Sequence, residues 1–101
     1  SDDELFKIAE LMLAEQNYML SDRAKAALSE YIPLRRNQPH FANARSVRNA
    51  LDRVRLRQAK RGFDGADGAV DAATLSTIEE PDIRVSRVFS GGLDRDQNVS
   101  I

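Results

Sequence analysis

Apolar residues recur at helical spacing in three separate stretches of this 101-residue chain, and that period leaves little choice of architecture. Leu5, Ile8, Ala9, Met12 and Leu13 form the first stripe. Ala24, Ala27, Leu28 and Tyr31 form the second. Ala44, Val47, Ala50, Leu51 and Val54, extended by the stem of Gln58, form the third. Each stripe covers one side of a helix, so none can leave water unless the helices pack on one another.

Punctuation between the stripes supports the same division. Ser1-Asp2-Asp3-Glu4 reads as a capping box that opens a helix running to about Gln16. Residues 17–20 read as a connection, Ser21 as the next N-cap and Asn43 as the cap of the third and longest helix. Pro33 lacks an amide donor and crowds the preceding turn, which predicts an end or kink of the second helix near Tyr31. In the polar loop that follows, Phe41 is expected to plug the core beside Tyr31. Residues 62–68, GFDGADG, read as a solvated turn, since their aspartates lack the spacing and the distant glutamate of a calcium loop. Thr77 to Asp82 predict the start of a fourth helix carrying Ile83, Arg87 and Val88, closed by Phe89 and stopped by Gly91-Gly92. The expectation is an all-α fold of four helices with essentially no sheet, one domain over 1–90 and a flexible tail over 91–101.

Bulk composition narrows the chemistry. The chain has no cysteine and no tryptophan, so thiol and disulfide chemistry are excluded. It carries no apolar run of the length a membrane span needs and no secretory leader pattern. It begins at Ser1 rather than Met, which points to a processed product or an excised fragment. There is no glycine-rich phosphate loop. His40 is the only histidine, so a histidine metal cluster is excluded, and its reading is that of a polar loop residue before the third helix. The paired acids Asp2/Asp3 and Glu79/Glu80 lie where helix N-termini attract carboxylates. Nothing here supports catalysis by this chain alone, and no metal ligands are expected.

Charge is placed unevenly. Residues 35–61 hold nine arginines and lysines against Asp52, a net of +8, whereas the other residues hold six cations and fifteen acids, a net of −9. On a helical wheel Arg45 lies about 160° from the centre of the third stripe, in the first turn and near the positive end of the helix dipole. Arg48 and Arg55 share one flank of that stripe, with Asp52 four residues after Arg48 as a pairing partner; Arg53 and Lys60 share the other. On spacing alone three readings stay open: a solvated face, a stripe lying on nucleic-acid phosphates, and an anion held at the helix start by Arg45. The acidic ends and the lack of aromatic base stackers on that face weigh against nucleic acid.

The stretches LRRNQPHFANARSVRNALDRVRLRQAKR and LSTIEEPDIRVSRVFSGGLD closely resemble the C-terminal end of the CbbX (CfxQ) family of AAA+ proteins, the red-type Rubisco activases. NARSVR, residues 43–48, is similar to the sensor-2 element of AAA+ lids, with Asn43 where the turn usually has glycine. The resemblance implies a four-helix AAA+ lid-type bundle in which Arg45 is the sensor-2 arginine that reaches the ATP phosphates and Arg48 supports it. It implies ATP with Mg as cofactor of the intact protein, none being held by this fragment alone. The implied partners are an upstream nucleotide-binding subdomain with the Walker motifs, neighbouring subunits of a hexamer and the Rubisco large subunit, with no membrane. The implied setting is the bacterial cytoplasm or the plastid stroma. Two alternatives remain: the lid of another CbxX/CfqX-type AAA+ protein, serving sporulation or type VII secretion, and a small helical nucleic-acid-binding module.

Overall fold

In a computed structural model, residues 1–64 and 76–93 are described. They form α1 (Asp2–Glu15), β1 (Met19–Leu20), α2 (Asp22–Arg36), α3 (Ala44–Asp64), β2 (Thr77–Ile78), α4 (Glu80–Arg84) and a 3-10 turn (Arg87–Ser90). The architecture is all-α, with one short two-stranded parallel pair whose Ile78 is buried in the core.

Local chemistry sets the helix starts. The Ser1 hydroxyl accepts from the Glu4 amide at 3.3 Å and the Glu4 side chain closes the reciprocal half of the box. The Ser21 hydroxyl accepts from the Ala24 amide at 3.1 Å and opens α2. Leu5, Ala9 and Leu13 of α1, Ala24, Ala27, Leu28 and Tyr31 of α2, and Val47, Ala50, Leu51 and Val54 of α3 are all buried in one core. Phe41 packs against that core while remaining partly exposed.

Three expectations are corrected. First, Pro33 does not end α2, which continues to Arg36. An interior proline costs about 3 kcal/mol. Tyr31 and Ile32 are buried just before it, and burial of each such side chain contributes about 1.5–3 kcal/mol, so packing outweighs the lost hydrogen bond. Second, α3 carries through Gly62 and ends at Asp64, so the turn starts later than its glycines predict; residues 65–68 lie outside the described residues.

Third, the fourth helix is split. α4 stops at Arg84, Ser86 is extended (φ −59°, ψ 140°), and its hydroxyl accepts from the Val88 amide to start the 3-10 turn. On one straight helix Ile83 and Val88 would stand about 140° apart. The break lets both be buried, at 2% and 3% exposure. Gly91, at φ 85°, caps the turn, as the Gly91-Gly92 stop predicts. The connection after α1, as expected, carries almost no sheet: Met19 pairs with Thr77 and Leu20 with Ile78. The tail from residue 94 lies outside the described residues.

Candidate functional site at the start of α3

The loop from 37 to 43 delivers the chain into α3. His40 (φ 64°) and Asn43 (φ 47°) both occupy the left-handed region. Asn43 is therefore not an extended N-cap of the usual kind. It sits where glycine is at ease and asparagine is the best tolerated substitute. The amide of Ala42 donates to the buried Ser46 hydroxyl at 2.7 Å, and the Arg45 amide donates to the Ala42 carbonyl at 3.1 Å. The Val47 amide reaches the Asn43 carbonyl at 3.1 Å, which begins the helical ladder.

Most of the basic cluster is committed to the fold. Arg35, at 2% exposure, is a core residue. It donates to the Pro39 carbonyl at 3.3 Å and stands 5.4 Å from the centre of the Phe41 ring. Arg36 pairs with Asp2 at 2.6 Å, and Arg55 pairs with Asp52 while lying over Tyr18. Asp52 thus takes Arg55, three residues on, and not Arg48 as the i,i+4 spacing predicts. Arg57 donates to the Asp82 carbonyl at 2.8 Å, Arg61 forks onto the Asp82 carboxylate, and Arg53 also has a partner. The Asp82 hydrogen bond holds the Arg61 guanidinium above its ordinary pKa, so the charge is permanent.

Three cations of the cluster remain. Arg45, Arg48 and Lys60 are exposed and have no hydrogen bond or ion pair among the described residues. Arg45 projects from the first turn of α3, as its helical angle predicts. Arg48 lines a small cleft with Leu13 and Gln16 of α1 and with Leu51, Asp52 and Arg55 of its own helix. It therefore shares the flank of Arg55, but not the outward direction of Arg45. The structure does not bring Arg45 and Arg48 onto one polar partner.

The arrangement suits an anion approaching α3 from outside. A guanidinium in the first turn, without a partner among the described residues, adds to the positive end of the helix dipole. The sequence reading missed the internal duties of Arg35 and Arg61, because neither is signalled by helical spacing. Among the described residues no group of three histidines or carboxylates could hold a metal ion, and no helix is long and apolar enough to cross a membrane.

A family model described as the AAA lid domain matches residues 1–89. Over 100 residues, 99% of the chain, the sequence is 61% identical to protein CbbX of Cereibacter sphaeroides and covers 32% of it. It is 56% identical over 93 residues to protein CfxQ of Xanthobacter flavus, spanning 92% of this chain and 29% of that one. A CfxQ homolog of Pyropia yezoensis is 49% identical over 90 residues, 89% of this chain and 30% of that one. The chain thus spans about a third of the length of these curated relatives.

Proposed function

The chain belongs to the AAA lid domain family, and from that membership we propose that it is the helical lid of a CbbX-like, hexameric AAA+ ATPase that remodels inhibited red-type Rubisco. Arg45 serves as the sensor-2 arginine, and Arg48 supports the same surface from one flank. The single observation that carries the reading is the state of Arg45, exposed in the first turn of α3 and without a partner among the described residues. A guanidinium left free at the positive end of a helix is suited to a polyphosphate.

ATP with Mg, held by the complete protein, supplies the phosphoryl chemistry. This chain contributes one cation and the rigid body that carries it. The pose of α3 then depends on whether a phosphate stands opposite Arg45, which couples nucleotide state to the angle of the lid and to contacts with neighbouring subunits. The Rubisco large subunit is the proposed client. The bacterial cytoplasm or the plastid stroma is the proposed setting, in keeping with the organisms of the relatives.

The same accounting weakens the nucleic-acid reading. Six of the nine cations in 35–61 have partners within the lid, so few remain to neutralise phosphates along a duplex.

Arg45→Ala in the complete protein tests the proposal. ATP turnover and Rubisco reactivation should both fall, on the order of a hundredfold for one lost transition-state donor. Stability should change by no more than about 0.5 kcal/mol, as for other exposed substitutions. Turnover at the wild-type rate would sink the assignment. Intact turnover by the wild type without Rubisco reactivation would move it to another CbxX/CfqX-type client.

A further inference from the structure

We propose that Arg35 is a positioning residue for Arg45: buried at the end of α2, it holds the 37–43 loop in the one conformation that aims Arg45 out of the lid. The inference rests on reading Arg45 as the phosphate-sensing residue. Arg35 is the largest fully buried side chain of the described residues. Desolvating a guanidinium is costly, and an apolar residue of similar volume often serves stability as well or better. Stability is therefore a weak account of this arginine, and the contacts it makes point elsewhere.

Two of its contacts grip the loop. The Arg35 Nη1 donates to the Pro39 carbonyl at 3.3 Å, and its Cζ stands 5.4 Å from the Phe41 ring centre. Between these two grips lies His40 at φ 64°, and Asn43 at φ 47° follows. Left-handed backbone costs a non-glycine residue roughly 1–2 kcal/mol, and it persists only where the surroundings over-determine it. Two further ties complete the restraint. The Gln38 side chain donates to the Gly92 carbonyl at 2.7 Å, and the Ala42 amide donates to the Ser46 hydroxyl at 2.7 Å.

Arg45 is the second residue after this loop ends, and its own amide is bonded back to the Ala42 carbonyl. Its side chain has no partner among the described residues to correct its aim. The direction of its guanidinium is thus inherited from the backbone that Arg35 fixes. A displacement of about 1 Å is enough to cost up to a hundredfold at a reacting centre.

The test uses the complete protein. Arg35→Met fills the volume without charge or donor, and Arg35→Lys keeps both. With Arg35→Met, kcat/KM for ATP should fall about 10- to 100-fold, through the same parameter, kcat or KM, that Arg45→Ala changes. The double variant Arg35→Met/Arg45→Ala should be no slower than Arg45→Ala, because Arg35 acts only through Arg45. Arg35→Lys should recover part of the loss. Hydrogen exchange across 37–47 should quicken about tenfold in Arg35→Met while α1 keeps its protection. Losses that multiply in the double variant, or unchanged exchange across 37–47, overturn the inference. If Arg45→Ala itself turns over normally, the functional reading has failed, and hydrogen exchange alone then decides the positioning role. If Arg35→Met does not fold, Phe41→Leu, which removes the ring under Arg35, replaces it under the same criteria.

Discussion

Arg61 forks onto the carboxylate of Asp82, Nε to Oδ1 at 3.0 Å and Nη2 to Oδ2 at 3.1 Å, across 21 residues of chain. The same carboxylate accepts from the Glu79 amide at 2.8 Å and so caps α4, while Arg57 binds the Asp82 backbone carbonyl. One buried acid therefore joins the last turns of α3 to the short α4, which is too brief to be stable by itself. Two of the seven cations of α3, Arg57 and Arg61, are committed to this joint.

Asp82→Asn should destabilise the chain by about 2 kcal/mol. Asparagine can still cap α4, but it leaves Arg61 without its counter-charge. The figure is set below that of a wholly buried pair because Arg61 is 37% exposed and part of its field is screened. Urea unfolding checks it; a change under about 0.5 kcal/mol would show that the pair holds nothing together.

Pro33→Ala should stabilise the chain by about 1 kcal/mol. Proline at this position cannot donate to the Ser29 carbonyl, yet α2 continues through it. Alanine restores the donor in a backbone already helical. Some of the gain is offset by the freedom alanine returns to the unfolded chain. Paired denaturation curves measure the difference, and a loss of stability would contradict it.

Asn43 separates conformational cost from capping. Asn43→Ala should cost about 1 kcal/mol, because alanine resists φ 47°, whereas Asn43→Gly should be nearly neutral. An ordinary N-cap would rank the two the same way and by a similar margin, so stability values by themselves do not separate strain from capping. Hydrogen exchange at Arg45 and Val47, whose amides bond to Ala42 and Asn43, should therefore quicken in the alanine variant and stay protected in the glycine one. Equal protection in both would remove the argument from backbone strain.

Acid should release one tertiary tie. The hydrogen bond from Arg84 lowers the pKa of Glu30 from its ordinary 4.5. Its folded pKa thus lies below its unfolded one. The stability from this pair is full above about pH 4.5 and is lost as pH falls through the folded value. Thermal unfolding of Glu30→Gln should accordingly lose less on acidification below that pH than the parent does. Parallel acid limbs for the two proteins would exclude a role for the pair.

The helices were legible because their signals are local. Ser1 and Ser21 cap donors three residues on, and the stripes from Leu5 to Val54 repeat within four. Pro33 misled because the opposing term, burial of Tyr31 and Ile32 against other helices, is not written near it. The split after Arg84 was hidden for a similar reason: only a core on one side makes Ile83 and Val88 need the same direction.

By itself the sequence determined three packed helices, the position of Arg45 outside its own stripe, and the likeness to AAA lids. The first two depend on residue type and on spacings within a turn or two, and the likeness on the match of whole stretches such as NARSVRNALDR. Only the tertiary structure decided which arginines are structural. Arg84 meets Glu30 across 54 residues, Arg61 meets Asp82 across 21, and Arg35 is buried with its guanidinium over the Phe41 ring. Ion pairs form wherever folded helices bring opposite charges within reach, and no local period encodes that meeting. Among the described residues, the cations of α3 that the fold leaves without a partner are Arg45, Arg48 and Lys60, and Arg45 is the one in the first turn.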